Sequence, residues 1–170
     1  FDFGAEYANY AADMSRTIPV NGKFSERQKA CYNAVLRVLK KAIKLYVPGS
    51  TIDQINKATW KMMEKEMIGL GLFTAEDVKN QHPESPLYQK YLMHGVAHHI
   101  GLDVHDPGLK HQPLKAGMII TCEPGIYIRD EKIGIRLEND ILVTNSEPVD
   151  LMADIPVEAD EIEELMQHNY

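Results

Sequence analysis

The chain has 170 residues, of which 44% are hydrophobic and 25% are charged, so it suits one folded domain with a buried core rather than a disordered tail. Its formal net charge of -7 argues against a non-specific nucleic-acid binder, which needs a basic face, and leaves cation binding open. No apolar run has the length of a membrane span, and no signal peptide is visible. The two cysteines, Cys31 and Cys122, favour a reducing compartment, and we expect a cytoplasmic protein.

The first twenty residues predict a β-hairpin. Aromatic and small residues alternate with polar ones over residues 1–7, and a second strand-like run covers residues 10–18. Ala8 and Asn9 lie between the two runs, where they predict the turn. The Pro19 ring then ends the strand pattern.

Two strong helix-start signals follow the predicted hairpin. Ser25 and Gln28 have the spacing of a capping box, and apolar residues recur behind them at helical intervals. Thr51 and Gln54 repeat the signal at the start of a second amphipathic helix. We also expect a third, short helical segment over residues 86–92.

The second half of the chain changes in character, because glycines become frequent and helical periodicity disappears. Buried strands are predicted over residues 118–122, 126–128, 134–138 and 141–144, with a turn at residues 130–132 and an acidic helix over residues 157–167. A strand pair, two helices and then several strands predict an α+β domain built on an antiparallel sheet.

Four acidic residues stand among apolar neighbours, where solvent-facing charges are not expected: Asp2, Asp13, Glu123 and Glu138. Burying an unpaired carboxylate costs several kcal/mol, so each of these acids needs a partner. Taken singly, each is more simply explained as one half of a salt bridge or as an acid at a strand end facing water.

The spacing of these acids favours a common site. Asp2 and Asp13 flank the first predicted turn and are expected to face each other across it, and Glu123 and Glu138 flank the second turn in the same way. Two like charges at about 4 Å repel by about 4 kcal/mol at an effective dielectric constant of 20. The acids therefore either stay protonated or surround cations, and four carboxylates balance two divalent ions.

Histidines supply the nitrogen donors that such a site can use. Four of them lie close together in the chain: His94, His98, His99 and His105. Oxygen ligands with one imidazole suit Mn²⁺, Co²⁺ or Zn²⁺ better than a structural zinc site, which favours thiolates. The segment is not a zincin helix, and the chain has neither a phosphate-binding loop nor a serine nucleophile elbow.

Six segments in this order resemble the pita-bread metallopeptidases, most of all the branch of Xaa-Pro aminopeptidases (aminopeptidase P), with Xaa-Pro dipeptidases (prolidases) as close relatives. They cover residues 2–7, 13–17, 94–98, 104–106, 123–127 and 134–140. The resemblance implies an α+β pita-bread fold, in which helices cover a curved antiparallel sheet. It also implies that residues 1–170 form a C-terminal portion of the catalytic domain, with an N-terminal part missing.

The resemblance also implies a set of metal ligands. Asp2 and Asp13 would bind one ion, and Asp13 would also reach the second. His98 and Glu123 would bind the second ion, and Glu138 would bridge both. The expected cofactors are two divalent ions, with Mn²⁺ favoured over Co²⁺ or Zn²⁺.

By the same resemblance, other residues would act on the substrate. His94 and His105 would hold the scissile amide and its developing oxyanion. Glu123 would move a proton toward the leaving nitrogen. Arg136 and Tyr127 would lie on the substrate side.

The function implied is a dinuclear-metal exopeptidase that hydrolyses the bond between an N-terminal residue and a following proline. Three alternatives stay open: an Xaa-Pro dipeptidase, a methionine aminopeptidase, and a non-catalytic module that binds peptides. The expected partner is a peptide with proline at its second position, with no nucleic acid and no membrane. A homodimer and the activity of this chain on its own are left open.

Overall fold

A computed structural model describes residues 1–167, so the last three residues of the predicted 1–170 portion lie outside the described part. The helices are α1 (Glu26–Ala42), α2 (Ile52–Gly69), α3 (Ala75–Asn80) and α4 (Ala159–Gln167). The strands are β1 (Asp2–Phe3), β2 (Glu6–Tyr7), β3 (Tyr10–Ala11), β4 (Met14–Ser15), β5 (Ile119–Cys122), β6 (Gly125–Ile128), β7 (Ile133–Arg136), β8 (Asn139–Leu142) and β9 (Val149–Asp150). The strand pairs among these residues are antiparallel, and the α+β class is confirmed.

The two long helices begin where their caps predict. The Ser25 hydroxyl accepts a hydrogen bond from the Gln28 N–H, and the Gln28 side chain accepts one from the Ser25 N–H. Thr51 and Gln54 make the same reciprocal pair at the start of α2. Each pair satisfies two backbone donors that the first helical turn leaves unpaired.

The predicted short helical segment over residues 86–92 forms as a 3₁₀ helix at Leu87–Lys90. The regular helix α3 lies earlier in the chain and was not predicted. A third capping box, formed by Thr74 and Asp77, starts α3 and was overlooked in the sequence. None of the helices in residues 1–167 combines the length and apolar composition that crossing a membrane requires.

Helix α1 forms the centre of the core. It packs against α2 on one side and against β6 and β7 on another. Its Tyr32, Val35 and Leu39 are buried, as are Ile126 and Ile135 of the facing strands. The β6–β7 hairpin is therefore anchored by apolar burial, which is the main source of stability in a domain of this size.

Both predicted hairpin turns form. Ala8 and Asn9 have positive φ angles of 52° and 65°, the combination that a two-residue hairpin turn of the right twist requires. The second turn is a 3₁₀ helix at Arg129–Glu131, followed by Lys132 with a φ of 54°.

In the first hairpin, Asp2 and Asp13 face each other as expected, but they are offset by two residues along the ladder. Asp2 lies opposite Ser15, and the same register places Asp13 opposite Gly4. The ladder is interrupted there, and a Cβ atom on Gly4 would lie 1.7 Å from the Ala12 carbonyl oxygen. Because side chains alternate along a strand, the two acids are diagonal neighbours on one face rather than direct partners.

In the second hairpin, the expected pairing is confirmed. The β5–β8 and β6–β7 ladders share one continuous register, which is interrupted only between them. At the interruption the Leu137 N–H donates to the Pro124 carbonyl oxygen at 3.3 Å. The register therefore places Glu123 opposite Glu138, directly after the end of the buried strand β5.

Candidate metal centre

The acids and histidines singled out in the sequence meet in one open cavity of about 570 Å³. Its lining includes the five predicted metal ligands and three of the four predicted substrate residues: Asp2, Asp13, His94, His98, His105, Glu123, Arg136 and Glu138. Tyr127 is not part of this lining, although its hydroxyl reaches one of the lining histidines.

His98 presents a lone pair to three carboxylates. Its Nδ1 lies 2.9 Å from the His99 carbonyl oxygen, to which the Nδ1–H donates. The other ring nitrogen, Nε2, lies 3.5 Å from Asp13, 3.8 Å from Glu123 and 3.9 Å from Glu138. These separations exceed hydrogen-bond length but approach the distance of about 3–3.5 Å between ligands that share a metal ion. The arrangement therefore fits a cation among these atoms.

The ligand atoms form overlapping groups, within each of which all atoms lie within 4.8 Å of one another. The groups are Asp2, Asp13 and Glu138; His98, Glu123 and Glu138; and Asp13, His98 and His105. Because Glu138 belongs to the first two groups, the donors fit two neighbouring divalent ions with this carboxylate between them. Oxygen and imidazole donors suit Mn²⁺, Co²⁺ and Zn²⁺ and do not choose among them.

The electrostatics of the cavity favour a cation. Burial raises the pKa of Glu123 to about 8, and the neighbouring Glu138 adds to the shift. Burial also raises the pKa of Glu138 to about 7, although a hydrogen bond from Ser15 opposes the shift. The pKa of Asp13 is raised by burial and by the charge of Asp2. Without a cation, Glu123 and Glu138 therefore retain protons near neutral pH, and divalent ions favour the ionised forms of all three acids.

His94 is held at both ring nitrogens. Its Nδ1 lies 2.6 Å from the Gly95 carbonyl oxygen, and its Nε2 lies 2.8 Å from the Tyr127 hydroxyl. Burial lowers the pKa of this histidine, so the ring is neutral near pH 7. Nδ1 is also 3.7 Å from Glu123. Tyr127 thus contacts His94 from outside the cavity lining.

His105 is more accessible than the other site histidines. Its ring packs edge-on against that of His98, with centroids 4.4 Å apart and planes at 79°. Asp106 supports its loop by accepting a hydrogen bond from the Asp103 N–H at 3.1 Å. This exposed imidazole beside the candidate metal ligands can be reached by a molecule in the cavity.

The expectation that Asp2 lies in an apolar setting is wrong. Its side chain is 57% exposed, and the flanking Phe1 and Phe3 are exposed as well. An ion pair with the Arg136 guanidinium holds the carboxylate in place. The same guanidinium donates through Nε to the Ser15 hydroxyl at 2.8 Å.

Three residues near the ligands were missed in the sequence. The buried Ser15 hydroxyl donates to Glu138 at 2.6 Å, and the Arg16 guanidinium donates to the Glu138 carbonyl oxygen at 2.8 Å. Asp140 accepts a hydrogen bond from the Asp13 N–H at 3.0 Å. The available signal was their position two or three residues from a candidate ligand, in or directly after a short strand.

Comparison with known proteins gives a consistent result. The model of metallopeptidase family M24 matches residues 1–145. The Xaa-Pro aminopeptidase of Haemophilus influenzae is 40% identical over 177 residues, covering 97% of this chain and 41% of that protein. The human Xaa-Pro aminopeptidase 3 is 36% identical over 175 residues, covering 96% of this chain and 34% of that protein. The chain thus spans about two fifths or less of the length of these relatives.

Solved structures agree with this result. A zinc-substituted aminopeptidase P of Escherichia coli, in complex with product, is 36% identical with a TM-score of 0.87, covering 99% of this chain and 41% of that one. Proline aminopeptidase P II from Yersinia pestis is 35% identical with a TM-score of 0.88, again covering 99% and 41%. The predicted pita-bread fold is confirmed by these matches.

Proposed function

Since this chain belongs to metallopeptidase family M24, we propose that it carries the metal centre of an Xaa-Pro aminopeptidase, which removes an N-terminal residue that precedes proline. The observation that carries the proposal is the convergence of His98 Nε2 with three carboxylates, one of which, Glu138, belongs to two ligand groups. The names of the similar aminopeptidases support the substrate class.

We propose that Asp2, Asp13 and Glu138 hold one divalent ion. His98, Glu123 and Glu138 hold the other, which Asp13 also reaches. Mn²⁺ is the proposed metal, with Co²⁺ or Zn²⁺ as alternatives. When bound, two such ions would supply Lewis acidity toward the scissile carbonyl and a water nucleophile that is active near neutral pH.

The proposed proton carrier is Glu123. The proline nitrogen of the scissile amide has no hydrogen, so it needs a proton in order to leave. A carboxylate that lines the cavity can take up a proton from the attacking water and return it to the leaving nitrogen. Glu123 also borders the cavity beside His94 and His98, where a substrate carbonyl would enter.

The proposed hydrogen-bond donor to the developing oxyanion is His105. Its exposed ring lines the cavity next to His98. His94 can donate to a substrate only after one of its two present contacts opens, so it is the less direct donor. Arg136 borders the cavity and orients Asp2, and Tyr127 orients His94.

The experiment that tests the function compares three peptides with the purified protein that carries this chain, supplied with Mn²⁺. We expect hydrolysis of an Ala-Pro-Ala tripeptide, with free alanine as the first product. The matched control, Ala-Ala-Ala, should be cleaved far more slowly. Preferential cleavage of the dipeptide Ala-Pro would instead favour an Xaa-Pro dipeptidase, and bound peptide without cleavage would favour a binding module.

Two further properties accompany the proposal. We propose a reducing, cytoplasmic location, because Cys31 and Cys122 are both buried with free thiols. A homodimer stays a prediction.

A further inference from the structure

The segment that carries two of the site histidines, residues 93–98, is here called the histidine segment; it has no regular secondary structure of its own. One edge of it is bound to β5 and to the residue that follows β5. The Thr121 N–H donates to the His98 carbonyl oxygen at 3.0 Å, and the His98 N–H donates to the Thr121 hydroxyl at 3.1 Å. The Glu123 N–H donates to the Val96 carbonyl oxygen at 3.0 Å.

The other edge of the histidine segment is held by helix α2. The side-chain oxygen of Asn56 accepts a hydrogen bond from the Val96 N–H at 2.8 Å. One turn further along, the Trp60 indole N–H donates to the His94 carbonyl oxygen at 3.2 Å. Residues four apart share one helix face, so both side chains reach the same segment.

The hydrogen bond from the Val96 N–H explains why a polar residue stands at position 56 of this helix. It is 4% exposed, in a helix position otherwise suited to an apolar side chain, and Val96 is completely buried. A buried backbone N–H needs an acceptor, and Asn56 supplies it. The polar side chain is thus accounted for by the loop that it binds.

The Val96 peptide groups connect α2 to a candidate metal ligand. The N–H of Val96 is fixed by Asn56, and its carbonyl oxygen is fixed by the Glu123 N–H. The segment then continues to His98, whose Nε2 faces Glu123 at 3.8 Å. The ligands of the first hairpin are held differently, since the Asp13 N–H donates to Asp140.

We propose that Asn56 is a positioning residue that sets the separation of His98 and Glu123, and hence the affinity of the metal subsite formed by His98, Glu123 and Glu138. The subsite formed by Asp2, Asp13 and Glu138 does not depend on it. This inference rests on the proposed function, because it assigns the two ligand groups to two ions.

The test uses Asn56→Leu, which removes the acceptor at similar volume. Mn²⁺ is titrated into the metal-free protein that carries this chain, and binding is followed by calorimetry and by electron paramagnetic resonance. Wild type should bind two ions. In Asn56→Leu one ion should bind as in wild type, and the other should bind about tenfold more weakly or worse, the size of effect seen when groups supporting metal ligands are removed.

Two further variants show whether the effect comes from the acceptor. Asn56→Asp keeps an oxygen acceptor and should restore most of the lost affinity. Thr59→Val is the matched control, because Thr59 lies on the same helix, is completely buried, and has a hydroxyl without a hydrogen-bond partner among residues 1–167. It should leave both affinities unchanged. If Asn56→Leu fails to fold, Trp60→Phe keeps the ring stacked on Tyr88 and should weaken the same ion to a smaller extent.

The outcomes separate this inference from the proposed function. Wild-type protein that binds no Mn²⁺ would contradict the proposed function itself. Two ions in wild type, with both affinities unchanged in Asn56→Leu, would overturn the role of Asn56. An equal weakening of both ions in Asn56→Leu would also overturn it, since that result indicates a general structural defect.

Discussion

The two hairpins that supply the carboxylates differ in how deeply they are buried. In the second hairpin, Glu138 is 2% exposed and faces Glu123 across a continuous register anchored against α1. In the first hairpin, β1, β2 and one of the two residues of β3 are exposed, and Asp2 and Asp13 are offset diagonally. The position of the second hairpin is therefore set by its own packing against α1, whereas the position of the first hairpin depends on its contacts with other residues.

The contacts between the hairpins show this dependence. The Ser15 hydroxyl donates to Glu138, the Asp13 N–H donates to Asp140, and Arg136 pairs with Asp2. Each contact ties an exposed-hairpin residue to the buried hairpin. The site is thus assembled on the second hairpin, and the first hairpin is positioned against it.

If the buried hairpin is the template, Glu138→Gln should have the largest effect. The substitution removes the negative charge of a carboxylate that belongs to both ligand groups. Metal affinity and hydrolysis should therefore each fall by more than about 100-fold, which exceeds the loss expected when a residue that only supports a metal ligand is removed. Metal content is measured by mass spectrometry and hydrolysis with the proline tripeptide. Glu131→Gln is the matched control, because Glu131 lies in the same hairpin but pairs with Arg27 at the surface. Near-normal metal content in Glu138→Gln would refute the shared-ligand assignment.

The second prediction concerns the stability of the metal-free protein. The folded-state pKa values of Glu123 and Glu138 are about 8 and about 7, above their ordinary value of 4.5, so the folded protein binds more protons than the unfolded chain in this range. Stability must then fall as pH rises through these values. The lowered pKa values of His94 and His98 act in the opposite direction, but only below their ordinary value of 6.5.

Between pH 6.5 and 8 we therefore expect the free energy of unfolding to drop by about 2 kcal/mol in the presence of a chelator. Calorimetry at several pH values measures the effect. Added Mn²⁺ should raise the melting temperature, and the increase should be larger at pH 8 than at pH 6.5, because the acids bind the metal in ionised form. A flat pH profile, or no effect of Mn²⁺, would argue against convergent carboxylates.

The difference between the hairpins also explains what the sequence could predict. The pairing of Glu123 with Glu138 follows from a local turn and a continuous alternation of side chains, so it is correct. The positions of Ser15 and Asn56 depend on contacts with Glu138 and Val96, which lie 123 and 40 positions further along the chain. No local pattern predicts such distant contacts. Asp2 was misjudged because its aromatic neighbours suggested burial, whereas composition alone does not say which strand is covered.

A smaller effect is expected from Ser15→Ala, which removes one link between the hairpins. The buried hydroxyl donates to Glu138 and accepts from Arg136, and a hydrogen bond to a charged group contributes about 1.5–3 kcal/mol. Because this bond lowers the pKa of Glu138, its loss should raise that pKa and move the pH-dependent drop in stability to higher pH. Denaturant unfolding at several pH values measures both changes, and Ser85→Ala, at an exposed loop, is the control. An unchanged pH profile would show that the hairpins do not couple through Ser15.

The smallest effect on stability is expected from Asp2→Asn. The Asp2 side chain is 57% exposed, so solvent screens its ion pair with Arg136, and such pairs contribute about 1 kcal/mol or less. Denaturant unfolding of the metal-free protein at low and high salt should show a small loss that disappears at high salt. Metal binding should respond more strongly, because Asp2 belongs to the ligand group of the first hairpin. A stability loss greater than that of Ser15→Ala would mean that the ion pair of Asp2 holds the first hairpin more strongly than its buried contacts do. That result would contradict the conclusion that buried contacts position this hairpin.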